Sequence, residues 1–330
     1  MPGTVASAIG VAFLVALVLV PLLVRFAIGR NLLDVPNTRS SHEIPTPRLG
    51  GLAVVAGVWA ASPLMKETLI ILVAATLAGL VGLLDDLINL RFWLKAAGQA
   101  VVALILLFVL PPSIFEAAGP LWPAALFFSV LWVVAVVNAY NFMDGIDGIV
   151  SGTVILNALF LMALAGATPV SGSITGLAAL GAAVAGFLMW NISPARIFLG
   201  DSGSHFVGFF LGTVALYAEP VNGNPYLSFV VVAAVFTPFL FDTAFTLIKR
   251  AGTGKNIFDA HREHIYQRIT PDPSKHRQVS NVYYALAALA GLAALLAAEG
   301  TPLRLFMGGA IVAGCCLLIA LLPNFATKRG

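Results

Sequence analysis

Eleven long apolar runs, separated by short polar loops, decide what this chain can fold into. They cover about residues 5–28, 50–65, 69–84, 96–110, 121–137, 150–166, 174–190, 205–218, 226–248, 280–298 and 303–322. A helix that crosses the hydrocarbon core of a bilayer needs about 20 residues, and the second, fourth and eighth runs are short by that measure. The runs are continuous and do not alternate, so they predict helices and not barrel strands. Only 10% of the residues are charged, against 59% hydrophobic, where a soluble chain carries roughly 25% charged residues. Mean hydropathy is +0.96. Soluble, disordered and fibrous classes are excluded. The expectation is an all-α polytopic membrane protein, one transmembrane domain over residues 1–330 with about eleven helices. Cys315 and Cys316 are adjacent in an apolar run, and neighbours on a helix point apart, so no disulfide is expected between them.

The basic residues orient the helices. Of the 18 Lys and Arg, all but Lys66 and Arg304 fall on one side, in the loops at about 29–49, 85–95, 138–149, 191–204 and 249–279 and in the C-terminal tail, with Arg25 counted beside the first loop. Positive charge marks the cytoplasmic side. The N-terminus is therefore expected outside and the C-terminus in the cytoplasm. The carboxylates Asp34, Asp85, Asp86, Asp144, Asp147, Asp201 and Asp259 gather on that same side, as do all 5 histidines. Charge topology does not require this, so the cytoplasmic loops are where chemistry is expected.

Asp85 and Asp86 close an apolar helix, where two carboxylates repel each other and oppose the helix dipole unless a cation sits there. Hard oxygen ligands of this kind suit Mg²⁺ or Mn²⁺. Asn138, Asn141, Asp144 and Asp147 recur every three residues and line a short path at the membrane edge. Gly200-Asp201-Ser202-Gly203-Ser204 leads into a helix whose first amides would attract phosphate. Phe198 is placed to stack on a base. His261-Arg262-Glu263-His264 supplies cations and imidazoles. Acidic metal ligands, phosphate-binding amides and cations at one membrane face describe phosphoryl transfer with a lipid-borne substrate. A transporter is the rival from another class. It would place its charges near the midplane, where only Asp242 lies deep. That carboxylate is expected to be structural, facing the bundle near Lys249 and Arg250.

Asp85-Asp86, the run Asn138-Ala-Tyr-Asn141-Phe-Met-Asp144-Gly-Ile-Asp147-Gly and the run Phe198-Leu-Gly-Asp201-Ser-Gly-Ser together resemble the polyprenyl-phosphate N-acetylhexosamine-1-phosphate transferase superfamily, glycosyltransferase family 4. Asp34-Val-Pro, Arg39, His42, Pro47 and Gly50-Gly51 extend the likeness, which runs from about residue 30 to 268. The resemblance implies transfer of sugar 1-phosphate from a UDP-N-acetyl sugar to undecaprenyl phosphate, release of UMP, and a need for Mg²⁺, which Mn²⁺ can replace. By the same resemblance Asp85, Asp86 and Asp144 are catalytic, and Asp201 with Asp85 holds the metal. Asn141, Asp144, Asp147, Asn191, Phe198, His261, Arg262 and His264 bind nucleotide and sugar diphosphate. Lys95, Arg39 and His42 meet the lipid phosphate. The implied setting is the bacterial cytoplasmic membrane, multi-pass, with membrane lipid around it, no nucleic acid as partner and a homodimer as the one protein partner considered. The fifth loop departs from the triple histidine of the phospho-MurNAc-pentapeptide translocases and from the N-acetylglucosamine pattern. It looks more like O-antigen-initiating enzymes that use 6-deoxy sugars such as FucNAc or QuiNAc. The translocase activity is the alternative within the superfamily.

Overall fold

The structure is a computed structural model that describes residues 2–36, 43–65, 68–167, 174–218, 220–256 and 261–326. Arg39 and His42 lie outside the described residues. Each of the eleven predicted apolar runs is helical. In chain order, α1 (Pro2–Gly29) leads to a two-residue antiparallel ribbon, β1 (Leu33–Asp34) against β2 (Thr46–Pro47). Then come α2 (Gly50–Ala60), α3 (Leu69–Ile88), α4 (Phe92–Val109), α5 (Ser113–Ala118), α6 (Trp122–Met143), α7 (Ile149–Ala167), α8 (Ile174–Asn191) and α9 (Gly200–Leu216). The chain ends with α10 (Pro225–Ala233), α11 (Thr237–Gly252), α12 (Ile265–Arg268), α13 (His276–Ala297) and α14 (Pro302–Ala326). The ninth run is not one straight helix. A 3₁₀ turn at Ala234–Phe236 separates α10 from α11, whose second residue is Pro238. Proline has no N–H to continue the preceding ladder but fits a first helical turn.

Among the described residues, 8 helical segments are long and apolar enough to cross a membrane unaided. α2, with 11 residues, and α9, with 17, are not among them. Both start at the polar loops described below, and α9 is the centre of the molecule. Every residue of α9 from Ser202 to Leu216 is buried. It packs against α3 on one side and α6 on the other, while α1 packs on α8 and α2, and α13 on α7 and α14. A helix surrounded by other helices meets no lipid, so its length answers to its neighbours and not to bilayer thickness. The outer helices carry the lipid-facing side chains. Leu14, Val18, Leu22 and Phe26 on α1, Ile105 and Phe108 on α4, and Leu303 and Phe306 on α14 are all exposed.

Small residues let α9 come close. A β-carbon added to Gly82 of α3 would stand 2.1 Å from the Asp201 carbonyl oxygen, and one on Gly51 of α2 would stand 2.3 Å from the Gly203 nitrogen. The backbones of three helices therefore touch where α9 begins, as small residues allow in membrane bundles.

Several helices run further than their apolar residues do. α3 continues through Asp85 and Asp86 to Ile88, α4 starts before Lys95, α6 includes Asn138 and Asn141, and α9 starts at Gly200. These polar side chains sit on helix ends, within reach of one another, and not on free loops.

Candidate active site

The α3–α4 corner is built on Asp85. Asn89 ends α3 in the left-handed conformation, φ 50°, and its N–H donates to the Asp85 carbonyl at 2.9 Å. The Asp85 carboxylate accepts the Leu90 N–H at 2.6 Å through Oδ1 and the Lys95 ammonium at 2.7 Å through Oδ2. Lys95 Nζ also lies 3.4 Å from Asp201 Oδ2. The cation that the paired aspartates demand is thus partly supplied by the protein. Lys95 draws together α3, α4 and α9, and the Asp201 side chain stays 28% exposed and open to a ligand.

Asp86 has a different task. Its Oδ1 accepts the Asp201 N–H at 3.1 Å and its Oδ2 the Ser202 N–H at 3.0 Å. Arg48 donates to its main-chain carbonyl at 2.9 Å. A carboxylate at a helix start satisfies orphan amides and favours the dipole. The expectation that the first amides of α9 wait for a phosphate is therefore corrected, because Asp86 already holds two of them. Gly200, at φ 75°, makes the turn into α9. A β-carbon there would lie 2.3 Å from the Arg48 carbonyl oxygen.

The third loop faces the same point. Asn141 donates to Ser204 Oγ at 3.1 Å. Asn138 is buried one turn deeper and donates to Gln99 Oε1 at 2.7 Å. Asp144 follows the last residue of α6, and burial together with the charges of Asp201, Asp86 and Asp147 raises its carboxyl well above the ordinary range. A buried carboxyl raised by the carboxylates around it marks a place that favours positive charge. Asp147 behaves oppositely. Burial pushes it up, but a hydrogen bond with His276, the field of that ring and the Ala195 amide outweigh burial and hold it below the usual carboxylate value. Its Oδ2 stands 3.2 Å from His276 Nδ1 and 3.2 Å from the Ala195 nitrogen.

Asn191 and Phe198 join the loops. Asn191 is buried and accepts from the Gly148 N–H at 3.1 Å and the Ser151 hydroxyl at 2.9 Å, while its amide donates to the Ile197 carbonyl at 3.0 Å. Phe198 donates its N–H to the Pro47 carbonyl at 2.7 Å and accepts from the Gly50 N–H at 3.0 Å. The first loop is thereby stitched to the fourth.

The fifth loop hangs from Asp242. This carboxylate is fully buried. It accepts the Ile265 N–H at 2.9 Å, the Tyr266 N–H at 3.0 Å and the Tyr283 hydroxyl, and His264 Nδ1 lies 3.2 Å away. It is structural, as expected, but its partners are not Lys249 and Arg250. Arg250 instead pairs with Glu263 and donates to the Asn256 carbonyl at 2.6 Å. His261 stacks on His264 with centroids 5.0 Å apart, and burial, His264 and Arg250 push its pKa down to about 4. His264 in turn lies 5.6 Å from the Phe142 ring, and Tyr266 donates to the Phe142 carbonyl at 2.9 Å. These contacts bring His264 and Tyr266, with His261 stacked behind, to the end of α6 at Phe142. Sequence reasoning passed over His276, Tyr266 and Tyr283. The available signal was Asp242 itself, since a carboxylate inside a span must collect donors from somewhere.

Among the described residues, no three His, Cys, Asp or Glu side chains close on one point as a finished metal cage. Mg²⁺ rarely needs one, because it is held by one or two carboxylates, water and substrate phosphates. Asp85 and Asp201, hard donors sharing the Lys95 cation, fit a site of that kind.

The family model described as glycosyl transferase family 4 matches residues 68–219, from the start of α3 to beyond α9. A probable undecaprenyl-phosphate N-acetylglucosaminyl 1-phosphate transferase of Bacillus subtilis is 30% identical over 305 residues, 88% of this chain and 84% of that protein. A decaprenyl-phosphate N-acetylglucosaminephosphotransferase of Mycobacterium tuberculosis is 29% identical over 331 residues, 87% of this chain and 81% of that one. A phospho-N-acetylmuramoyl-pentapeptide-transferase of Heliobacterium modesticaldum is 32% identical over 276 residues, 77% and 84%. The matched region contains the whole Asp85–Lys95–Asp201 junction, and the relatives extend the match over most of both chains. The chain belongs to glycosyl transferase family 4, in the polyprenyl-phosphate N-acetylhexosamine-1-phosphate transferase superfamily.

Proposed function

We propose that the enzyme transfers an N-acetylhexosamine 1-phosphate from a UDP-sugar to undecaprenyl phosphate and releases UMP. The observation that carries this is Lys95, held between Asp85 and Asp201 where α3, α4 and α9 meet. An oxygen of the lipid phosphate attacks the sugar-bearing phosphorus of the UDP-sugar. The bond from that phosphorus to the bridging oxygen breaks, and UMP leaves with the electron pair. One phosphoanhydride replaces another, so the step is close to balanced and reversible.

Lys95 neutralises phosphate charge. Asp201 and Asp85 would hold Mg²⁺, which supplies charge stabilisation to the diphosphate. A phosphate monoester with a second pKa near 6 is already mostly dianionic at neutral pH, so Asp85 has little proton to remove. Its bonds to Leu90 and Lys95 support a role in positioning. Asn141, Asp144 and Asp147 line the path for the nucleotide phosphates. Asn191 orders the loop that presents Phe198 to the base. His261, Arg262 and His264 face the sugar diphosphate.

The 16 basic residues on one side support eleven passes with the N-terminus outside and the site in the cytoplasm. The reading puts the enzyme's work at the bacterial cytoplasmic membrane, as the first membrane step of O-antigen or another envelope glycan. With Cys315 and Cys316 replaced, Thr301→Cys should react with an impermeant thiol reagent in sealed cells and Ser274→Cys should not. The reverse pattern refutes the orientation.

The activity is tested with purified protein, undecaprenyl phosphate, Mg²⁺ and a panel of UDP-N-acetyl sugars, read as UMP release. The panel sets UDP-N-acetylglucosamine, the sugar in the names of the Bacillus and Mycobacterium relatives, beside 6-deoxy sugars, favoured by the His261-Arg262-Glu263-His264 order. Release of UMP with no member of the panel overturns the reading.

A further inference from the structure

Consecutive residues at the end of α8 face opposite ways. Asn191 turns inward to Gly148 and Ile197. Trp190 turns outward, and its indole N–H donates to the Leu17 carbonyl of α1 at 3.2 Å. Arg196 donates its main-chain N–H to the Trp190 carbonyl at 2.9 Å, and its guanidinium lies over the indole, 5.5 Å from the ring centroid. With Leu17, Met189, Ile192, Ser193 and Pro194 these two residues line an open cleft of about 380 Å³. Met189 and Ile192 are exposed at its rim.

Three features set this cleft apart. Among the described residues Arg196 forms no ion pair with a carboxylate. Apart from Arg196 and Ser193, its lining side chains are apolar. It also opens at the end of α8. Arg196 is exposed in the loop that leaves this helix, on the side where the basic residues gather, so its guanidinium stands at the level of lipid headgroups and not within the hydrocarbon. Stacking on Trp190 fixes its plane beside the cleft. A planar guanidinium suits a phosphate oxygen pair. Leu14 and Val18, both exposed, continue the apolar wall along α1.

We infer that the Trp190–Arg196 cleft binds the phosphodiester headgroup of an anionic membrane phospholipid, with an acyl chain lying along α1. A free anion would gain nothing from the apolar walls. None of the lining residues belongs to the Asp85–Lys95–Asp201 junction, and the inference does not rest on the proposed reaction.

The purified full chain, offered phosphatidylglycerol and phosphatidylcholine in equal amounts, tests this by native mass spectrometry. Wild type should retain one phosphatidylglycerol in preference to phosphatidylcholine. Arg196→Ala should lower that retention by about tenfold or more, and Arg196→Lys by less, since the lysine keeps charge but loses the paired geometry. Equal retention by Arg196→Ala and wild type overturns the proposal. So does displacement by excess inorganic phosphate, which would make the cleft a simple anion site. Displacement by undecaprenyl phosphate in preference to phosphatidylglycerol would give the cleft to the substrate and also overturn it. Should the variants not fold, the headgroup preference of wild type alone decides, and its absence is fatal.

Discussion

Asp201→Ala should lose turnover by roughly 10³-fold or more, the scale seen when a preorganised charge is removed from a reacting phosphate or oxyanion, and should still fold. Among the described residues its carboxylate pairs with Lys95 at 3.4 Å and lies beside Asp85. The start of α9 is held by other means, through the two amides bound to Asp86. Asp86→Ala should therefore show the opposite balance. It strips a cap worth about 0.5–2 kcal/mol and leaves two amides without an acceptor. Its thermal midpoint in detergent should fall clearly, and activity should fall because α9 shifts. UMP release per folded molecule, set beside the melting curve, separates the two. An Asp201→Ala protein with near-normal turnover and Mg²⁺ dependence would remove Asp201 from the metal site. An Asp86→Ala protein that melts like wild type would remove the capping role.

The contrast between these neighbours shows what could and could not be foreseen from the chain. The helical character of the apolar runs was legible because a bilayer admits only segments that satisfy their own backbone, and that demand is written into every apolar run. The gathering of Asp85, Asp86, Asp144 and Asp201 at one face was legible for the same reason, since charge can sit only at the ends of such runs. Their division of labour was not. Asp85 and Asp86 are adjacent on α3, yet one turns to Lys95 and the other to amides 115 and 116 positions away in sequence. Only the approach of α3 to α9 decides which is which. Asp242 makes the same point. Its burial was readable from its place in the ninth run. Its donors, Tyr266, Ile265, His264 and Tyr283, come from a loop and a helix whose docking no local pattern encodes. The reason that α2 and α9 are short was equally hidden, because a short apolar run looks the same whether it crosses thin bilayer or hides among other helices.

Gly82→Ala should damage the enzyme more than any other single methyl addition in α3. The added carbon would stand 2.1 Å from the Asp201 carbonyl oxygen, 2.5 Å from its carbon and 2.8 Å from the Ser202 nitrogen. All three are backbone atoms, so no flexible side chain can swing aside. The first turn of α9 is also pinned by Asp86 from α3 itself, so the two helices are pulled together at the point where the methyl forces them apart. Overpacking of this kind costs about 1–3 kcal/mol and sometimes more. A shift of about 1 Å between α3 and α9 would also draw Asp85 and Asp201 away from their shared Lys95, and such misplacement costs roughly 10²-fold in rate. Gly79, one turn earlier, faces the Ser202 carbonyl at 3.1 Å and the Phe206 β-carbon at 3.2 Å. Gly79→Ala should give a milder form of the same defect. Gly10 on α1 has nothing within 4 Å, and Gly10→Ala should melt and turn over like wild type. The order Gly82, Gly79, Gly10 is expected in both melting temperature and UMP release. Gly82→Ala behaving like Gly10→Ala would show that α3 and α9 have room to part, and that the carboxylates do not depend on this contact for their geometry.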